Sequence, residues 1–205
     1  ALLGYYRQKA SLWEIQAALK MRPVAGNLRL GYRFLEDLRD VLLAPRSRRE
    51  VLASVSRLRA EAVEQSRRRN SEALDVKNGR GGIRDVEFAV QALQLMHAPE
   101  FPSLLEGNTL AALGALEEQG ILTPRQADEL REDYLYLRRV EHALQLLEDR
   151  QTHVVPNAPE ALAALGRRLH AGEEAARFGD LLLERLERVR RTTSALLESE
   201  RVAGR

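Results

Sequence analysis

The residues best suited to chemistry in this sequence lie between Asp75 and Leu95. Lys77, Arg80 and Arg84 sit among Gly79, Gly81 and Gly82, and the segment then runs into an apolar helical pattern. Glycine has no Cβ, so backbone there can turn sharply and approach a ligand closely. A helix N-terminus presents free N–H groups and a partial positive charge. A glycine-rich basic loop that enters a helix is therefore a candidate phosphate seat. The same residues also fit a purely structural loop. Asn78-Gly79 is a tight-turn signal, and Arg84 and Glu87 stand three apart, where side chains pair along a helix.

At about 100° per residue, Ile83, Val86, Val90, Leu93 and His97 form one stripe of that helix, with Phe88, Ala92 and Leu95 across from them. A helix apolar nearly all round is a buried one. Arg84, Glu87, Gln91 and Gln94 leave a narrow polar line along it, with Asp85 to one side. Charges are rarely buried unpaired, so the line is expected to meet another helix, a second domain or a ligand. Asp85 and Glu87 point about 200° apart and cannot share a metal; Glu87 is expected to orient an arginine. No second histidine stands at ligand spacing from His142 or His153, so both read as structural or surface residues, and no metal site is expected in this chain. Lys20 and Arg22 precede a helix stop. They are either ordinary helix-end cations or phosphate contacts. Arg138-Arg139 reads as a solvated or ion-paired helix face.

The elements that must position these residues follow from periodicity and punctuation. Leu2 to Met21 reads as one helix, with Leu3, Tyr6, Ala10, Trp13, Ala17 and Met21 at three- and four-residue steps, stopped by Pro23 and Gly26. Asn27 caps a second to about Leu43, with Leu30, Phe34, Leu38, Val41 and Leu42 inward. Ser47 and Glu50 have capping-box spacing and open a third, which ends in Arg67 to Asn70. The polar-striped helix comes next. Asn108 or Thr109 caps a helix to Gly120, and Thr123 with Gln126 opens a long one to about Glu148, with Leu130, Tyr134, Leu137, Val140, Leu144 and Leu147 inward. Asn157 caps a short helix to about His170, and a last helix follows Gly172 to about Ser199. No strand pattern persists, although a small hairpin at Asn78-Gly79 is conceivable. The expectation is an all-α fold, an antiparallel helical bundle of about seven or eight helices. A division near Pro45 is expected, with 1–45 a helical connection and 46–205 the bundle.

The 205 residues suit one domain or one and a half. Apolar residues make up 44% and charged residues 30%, the pattern of a globular chain, and the net charge is only +2. Aromatics, at 5%, are too few for a platform that stacks single-stranded nucleic acid. Duplex binding through Arg46, Arg48, Arg49 and Arg67 to Arg69 is opposed by interleaved glutamates and the near-neutral charge. There is no cysteine, which excludes disulfides, thiolate nucleophiles and cysteine zinc sites and is compatible with a cytoplasmic location. No apolar run approaches the roughly twenty residues of a membrane span, so neither nucleic acid nor membrane is expected as a partner. The chain opens on Ala1-Leu2-Leu3 without methionine or a signal-peptide pattern, and a piece of a longer protein is expected.

The stretch Lys77-x-Gly79-x-Gly81-Gly82-Ile83-Arg84-Asp85-Val86-Glu87-Phe88-x-x-Gln91 resembles a segment of glutamine synthetase adenylyltransferase, the bacterial enzyme that adds AMP to glutamine synthetase and removes it. Trp13, Glu14, Gln16, Ala17, Lys20, Arg22, Val24, Ala25 and Gly26 resemble the segment that leaves the family's nucleotidyltransferase core. Leu137 to His142, with Asp149, Gln151, Thr152, His153 and Pro156, resemble a later helical segment, closer to the N-terminal, AMP-removing half. The resemblance implies Mg²⁺-dependent phosphorolysis of adenylyl-tyrosine to ADP. The matching half transfers AMP from ATP, and control is by the PII signal protein and glutamine. It implies that Lys20, Arg22, Lys77, Arg80 and Arg84 face nucleotide phosphates or the core, while Gly81, Gly82, Asp85, Glu87 and Gln91 support them. The family's metal-binding Gly-Ser-x-Asp-x-Asp run is absent. No catalytic residue is therefore assigned within this chain, and alone it is expected to be inactive, its metal and base lying in an upstream core. The alternative is a non-catalytic helical module that docks PII or glutamine synthetase.

Overall fold

The computed structural model describes residues 2–70, 73–148 and 152–204, the side chains of Asn70, Leu147 and Glu148 excepted. Asp149, Arg150 and Gln151, and the inward Leu147 side chain expected above, thus lie outside the described residues. The described residues form ten α-helices and no strand: α1 (Leu2–Gln8), α2 (Leu12–Ala18), α3 (Leu28–Leu42), α4 (Arg48–Asn70), α5 (Ile83–His97), α6 (Thr109–Glu118), α7 (Pro124–Glu148), α8 (Pro159–Leu169), α9 (Glu173–Ala176) and α10 (Phe178–Ala203), with a 3-10 turn at Pro102–Leu104. None is long and apolar enough to cross a membrane.

The all-α expectation agrees with this, but seven or eight helices is too few. Two breaks account for the difference. Ser11 interrupts the first expected helix because its backbone is extended and its N–H and hydroxyl both donate to Glu14 Oε2, at 2.9 and 2.7 Å. That local bond competes with helix continuation. The inward face is also reset: Ile15, Gln16 and Ala18 are buried, whereas Trp13 and Met21 are exposed. The second break is the single turn α9 ahead of α10.

Other boundaries follow their caps. Asn108 Oδ1 accepts from the N–H groups of Leu110 and Ala111. Thr123 and Gln126 bond reciprocally, N–H to Oε1 at 2.9 Å and N–H to Oγ1 at 3.3 Å, the capping box legible in their spacing. Asn157 is not a cap: Ala158 holds that position, with Pro159 opening α8. Leu30, expected inside, is exposed in the first turn of α3, while Leu38 and Leu42 are buried. No hairpin forms at Asn78-Gly79. Asp75 instead makes an isolated antiparallel bridge to Val154.

The chain divides into two compact units that interleave in sequence. The first comprises Ala1–Leu58, Ala89–Ala127 and Ser199–Arg205, the second Arg59–Phe88 and Asp128–Glu198. In the first, Ile15, Leu38, Val51, Leu93, Leu104, Leu113 and Leu116 are among the buried side chains. In the second, Val76, Ile83, Leu137, Val140, Phe178, Leu182 and Val189 are buried. Burial of such side chains contributes on the order of 1.5–3 kcal/mol each.

The caps give a direct comparison. Asn108→Ala should lower stability by about 1 kcal/mol, whereas Asn157→Ala should leave it within about 0.5 kcal/mol. Urea denaturation of the two variants checks this.

Candidate functional site

The glycine loop belongs to the second unit, and one carboxylate shapes its first half. Asp75 is 4% exposed. Its Oδ1 accepts from the N–H groups of Lys77 (2.9 Å) and Asn78 (2.8 Å), and its Oδ2 accepts from the Ser66 hydroxyl (2.6 Å) and the Asn78 amide (3.2 Å). This is an Asx turn, the local device that makes aspartate a turn residue. Burial alone would raise the Asp75 pKa. The Ser66, Asn78 and Lys77 donors outweigh it and hold the carboxyl below its ordinary value. The 75–76 backbone is tied to the 152–155 segment: Val76 N–H donates to His153 O at 2.9 Å and Val155 N–H to Leu74 O at 2.8 Å.

A second carboxylate shapes the other half. Asp85 is also 4% exposed. It takes a bidentate pair from Arg59, Nε to Oδ1 and Nη2 to Oδ2, both at 2.6 Å. The Gly81 N–H donates to Oδ2 at 2.6 Å. Gly81 has φ +75°, and a Cβ there would lie 1.9 Å from the Leu186 carbonyl oxygen. Both facts exclude a side chain. Gly82 is held by close approach: a Cβ would stand 2.8 Å from the carbonyl oxygens of Val76 and Lys77.

These bonds change the reading of the loop as a backbone phosphate seat. Gly82 N–H donates to Gly79 O (3.1 Å), Ile83 N–H to Val76 O (2.9 Å) and Arg84 N–H to Lys77 O (3.1 Å). With Gly81 N–H on Asp85, each N–H from residue 81 to 84 has a partner inside the chain. The N–H groups of residues 81 to 84 are therefore occupied and do not also serve a phosphate.

The three cations of the loop differ. Lys77 Nζ lies 3.1 Å from Glu141 Oε1. Glu141, 3% exposed, also meets Arg138 at 2.8 Å and His153 Nδ1 at 3.4 Å. Three segments far apart in sequence thus meet at one carboxylate. Arg84 stacks over Phe88, its guanidinium carbon 6.0 Å from the ring centroid. Arg80 is exposed and forms no ion pair among the described residues. It borders a cavity of about 720 Å³ together with Ser66, Arg67, Arg68, Asp75 and Gly79. Arg68 is paired with Glu64 at 2.8 Å, which leaves Arg67 and Arg80 as the cations facing that space.

The polar line of α5 finds its partners within the chain. Glu87 accepts from the Tyr134 hydroxyl at 3.1 Å. In the first unit, Gln91 Oε1 accepts from Gln16 Nε2 at 2.7 Å, and Gln94 Nε2 donates to Leu104 O and Glu106 O at 2.6 and 2.8 Å. Also in the first unit, Lys20 Nζ donates to Thr109 Oγ1 at 3.1 Å, and Arg22 is exposed. Among the described residues, no cluster of three or more His, Cys, Asp or Glu is placed to hold a metal.

Sequence reasoning missed Arg59, Asp75 as the shaping carboxylate, Glu141 as a hub, and Asp133. Asp133, 1% exposed, takes Arg185 at 2.8 Å and Arg188 at 2.7 and 2.6 Å. Only Asp75 carried a local signal, aspartate three residues ahead of Asn78 in a turn.

A model of the family described as GlnD PII-uridylyltransferase matches residues 54–197. The bifunctional glutamine synthetase adenylyltransferase/adenylyl-removing enzyme of Streptomyces avermitilis is 41% identical over 167 residues, 82% of this chain and 17% of its own length. The enzyme of the same description from Mesorhizobium japonicum is 36% identical over 202 residues, 97% of this chain and 20% of its own. That from Bartonella quintana is 33% identical over 204 residues, 98% and 21%. The chain spans about a fifth of the length of the curated relatives it matches.

Two measurements test the loop. Gly81→Ala should cost at least about 2 kcal/mol in urea denaturation, since it adds a Cβ against a carbonyl at positive φ. Asp75 supplies a pH dependence. Its folded pKa is depressed, so its contribution is fully present above the unfolded value of about 3.9 and is lost as pH falls through the lower folded value. Asp75→Asn, which keeps the oxygen acceptor but not the charge, should lower stability at pH 7 and flatten its fall below about pH 4.

Proposed function

We propose the function from one premise: the chain belongs to the GlnD PII-uridylyltransferase family, as a helical domain of that type, and its relatives are bifunctional glutamine synthetase adenylyltransferase/adenylyl-removing enzymes. The chain is the helical part of such an enzyme and acts in the cytoplasm. It serves the half that removes AMP from a tyrosine of glutamine synthetase by phosphorolysis, under control of the PII signal protein. A nucleotidyltransferase core elsewhere in the polypeptide supplies the catalytic carboxylates and Mg²⁺, which would activate phosphate and steady the charge of the transferred group. ATP, ADP and phosphate are its small substrates.

Within this chain, the second unit presents cations to the phosphates. The observation that carries this reading is the contrast between the loop's backbone and its side chains. Every N–H from Gly81 to Arg84 is committed, while Arg80 makes no ion pair among the described residues and Arg84 has only the Phe88 ring. An unneutralised guanidinium on a fixed backbone is suited to stabilise developing charge without reorganisation. Lys77 is held by Glu141 and acts by fixing the loop, alongside Gly81, Gly82 and Asp85. Lys20 and Arg22, in residues 1–45, meet the core where the two parts adjoin. Exposed large apolar side chains support such a contact. Among the described residues, Leu2, Tyr5, Trp13, Met21, Val24, Leu28, Leu30 and Tyr32 are exposed, against four after residue 45: Leu135, Leu146, Leu183 and Val202. A concentration of that kind marks a surface another body covers.

The test uses the longer polypeptide that carries the core. Arg80→Gln and Arg84→Gln should each lower kcat/KM for phosphate-dependent AMP release from adenylylated glutamine synthetase roughly tenfold or more. Their unfolding midpoints should stay within about 0.5 kcal/mol of the parent. Full turnover in both variants would overturn the phosphate role.

A further inference from the structure

The last turn of α10 is held within the first unit by a carboxylate that the proposed reaction does not use. His97, at the end of α5, bonds Glu200 through Nε2 to Oε1 at 2.9 Å. Arg48, at the start of α4, stands 3.3 Å from Oε2. The side chains of His97 and Glu200 are 13% and 14% exposed. Oε2 is buried and accepts no hydrogen bond, so among the described residues the imidazole makes the carboxylate's one hydrogen bond. That bond, against the effect of burial and with help from the Arg48 charge, holds the Glu200 carboxyl below its ordinary value. The turn closes over the Arg48 stem. Gly204 N–H donates to Glu200 O at 3.2 Å, and a Cβ on Gly204 would meet the Arg48 Cβ and Cδ at 3.4 Å.

A carboxylate oxygen only accepts, so Nε2 carries a hydrogen whether the ring is neutral or charged. The titrating proton therefore sits on Nδ1. Losing it keeps the hydrogen bond but removes the attraction between opposite charges, which is stronger in a half-buried site than in open water. Glu200, with its depressed carboxyl, stays ionised throughout the neutral range. The ion pair is thus complete at mildly acid pH and is lost as pH rises through the titration of the imidazole. Arg48 and Arg49 on α4 and Arg201 on α10 line a cavity beside Glu200, and Glu100 follows His97 by about one turn. Guanidinium and carboxylate groups keep their charge near neutrality. His142, His153 and His170 belong to the second unit, so His97 is the first unit's one imidazole, the side-chain type that titrates between about pH 5 and 8.

We propose that His97 and Glu200 form a pH-sensitive latch, which holds the last turn of α10 to the start of α4 and the end of α5 and loosens as the imidazole loses its Nδ1 proton. The latch is separate from the glycine loop, which belongs to the other unit.

The experiment follows the methyl NMR signals of Val202 and Ala203 in the 205-residue chain as pH is raised. Between about pH 5.5 and 7.5 both should move in step with the His97 ring signals, toward their positions in Glu200→Gln, by roughly half of that distance or more. His97→Gln keeps a neutral donor that does not titrate, and its two methyl signals should stay within about a tenth of the parent's change. Arg48→Gln should displace both signals at every pH and keep the response. Should His97→Gln fail to fold, Glu200→Gln decides in its place, since it must abolish the response as well. The proposal is overturned if the parent's signals do not move, if they move equally in His97→Gln or Glu200→Gln, or if Glu200→Gln leaves them where the parent has them at the acid end.

Discussion

A carboxylate taken out of water is stable only where donors replace the solvent it has lost. The desolvation cost is several kcal/mol per ion, and breaking one side of such a pair is worse than never forming it. Among the described residues, four acidic side chains are buried, Asp75, Asp85, Asp133 and Glu141, and all four belong to the second unit. Each has recruited its own donors. Asp75 has backbone N–H groups and Ser66, Asp85 has Arg59 and Gly81 N–H, Asp133 has Arg185 and Arg188, and Glu141 has the Arg138 and Lys77 cations, although its Oε1 accepts no hydrogen bond. The path of the chain from residue 73 to residue 85 places partners beside three of them at once.

That constraint explains the glycines better than ligand approach does. Asp85 reaches back four residues to the Gly81 N–H, and the backbone meets it only by turning through positive φ beside the Leu186 carbonyl. A glycine-rich loop before a helix suggests a phosphate cradle, because most such loops leave their N–H groups open. Here the loop closes on itself and on its own helix. Backbone polar groups must be accounted for one by one before an anion site is assigned.

Local signals were legible in the sequence and distant ones were not. The caps at Asn108 and Thr123, and most helix boundaries, rest on side chains within three residues of the backbone they bond, so spacing alone reveals them. The break at Ser11 had the same kind of signal, Ser11 with Glu14, but the apolar steps of Tyr6, Ala10, Trp13 and Ala17 ran across it and masked it. The polar line of α5 was visible as a seam that needed partners. Those partners, Gln16 at 75 residues' separation and Tyr134 at 47, have no local mark. Arg59 for Asp85, and Arg185 with Arg188 for Asp133, are invisible for the same reason: tertiary folding alone brings them together. The glycine-loop segment and the segments around Glu141 and His153 stood out separately. Their meeting at one carboxylate belongs to the fold.

Energy alone does not account for keeping these acids. Well-packed apolar side chains of similar volume commonly match or exceed a buried ion pair in stability. What apolar side chains lack is direction. A bidentate guanidinium–carboxylate pair fixes both partners in a plane, and an Asx turn fixes two successive N–H vectors. Placed on either side of a loop of nine residues, such contacts hold the backbone from which Arg80 and Arg84 project and leave those side chains without an ion pair among the described residues. An apolar loop core would bury the same area and let the loop slide. Charge held at a fixed place before the reacting group arrives is worth far more than charge that must move into position. The buried carboxylates thus fix the backbone on which these two arginines stand.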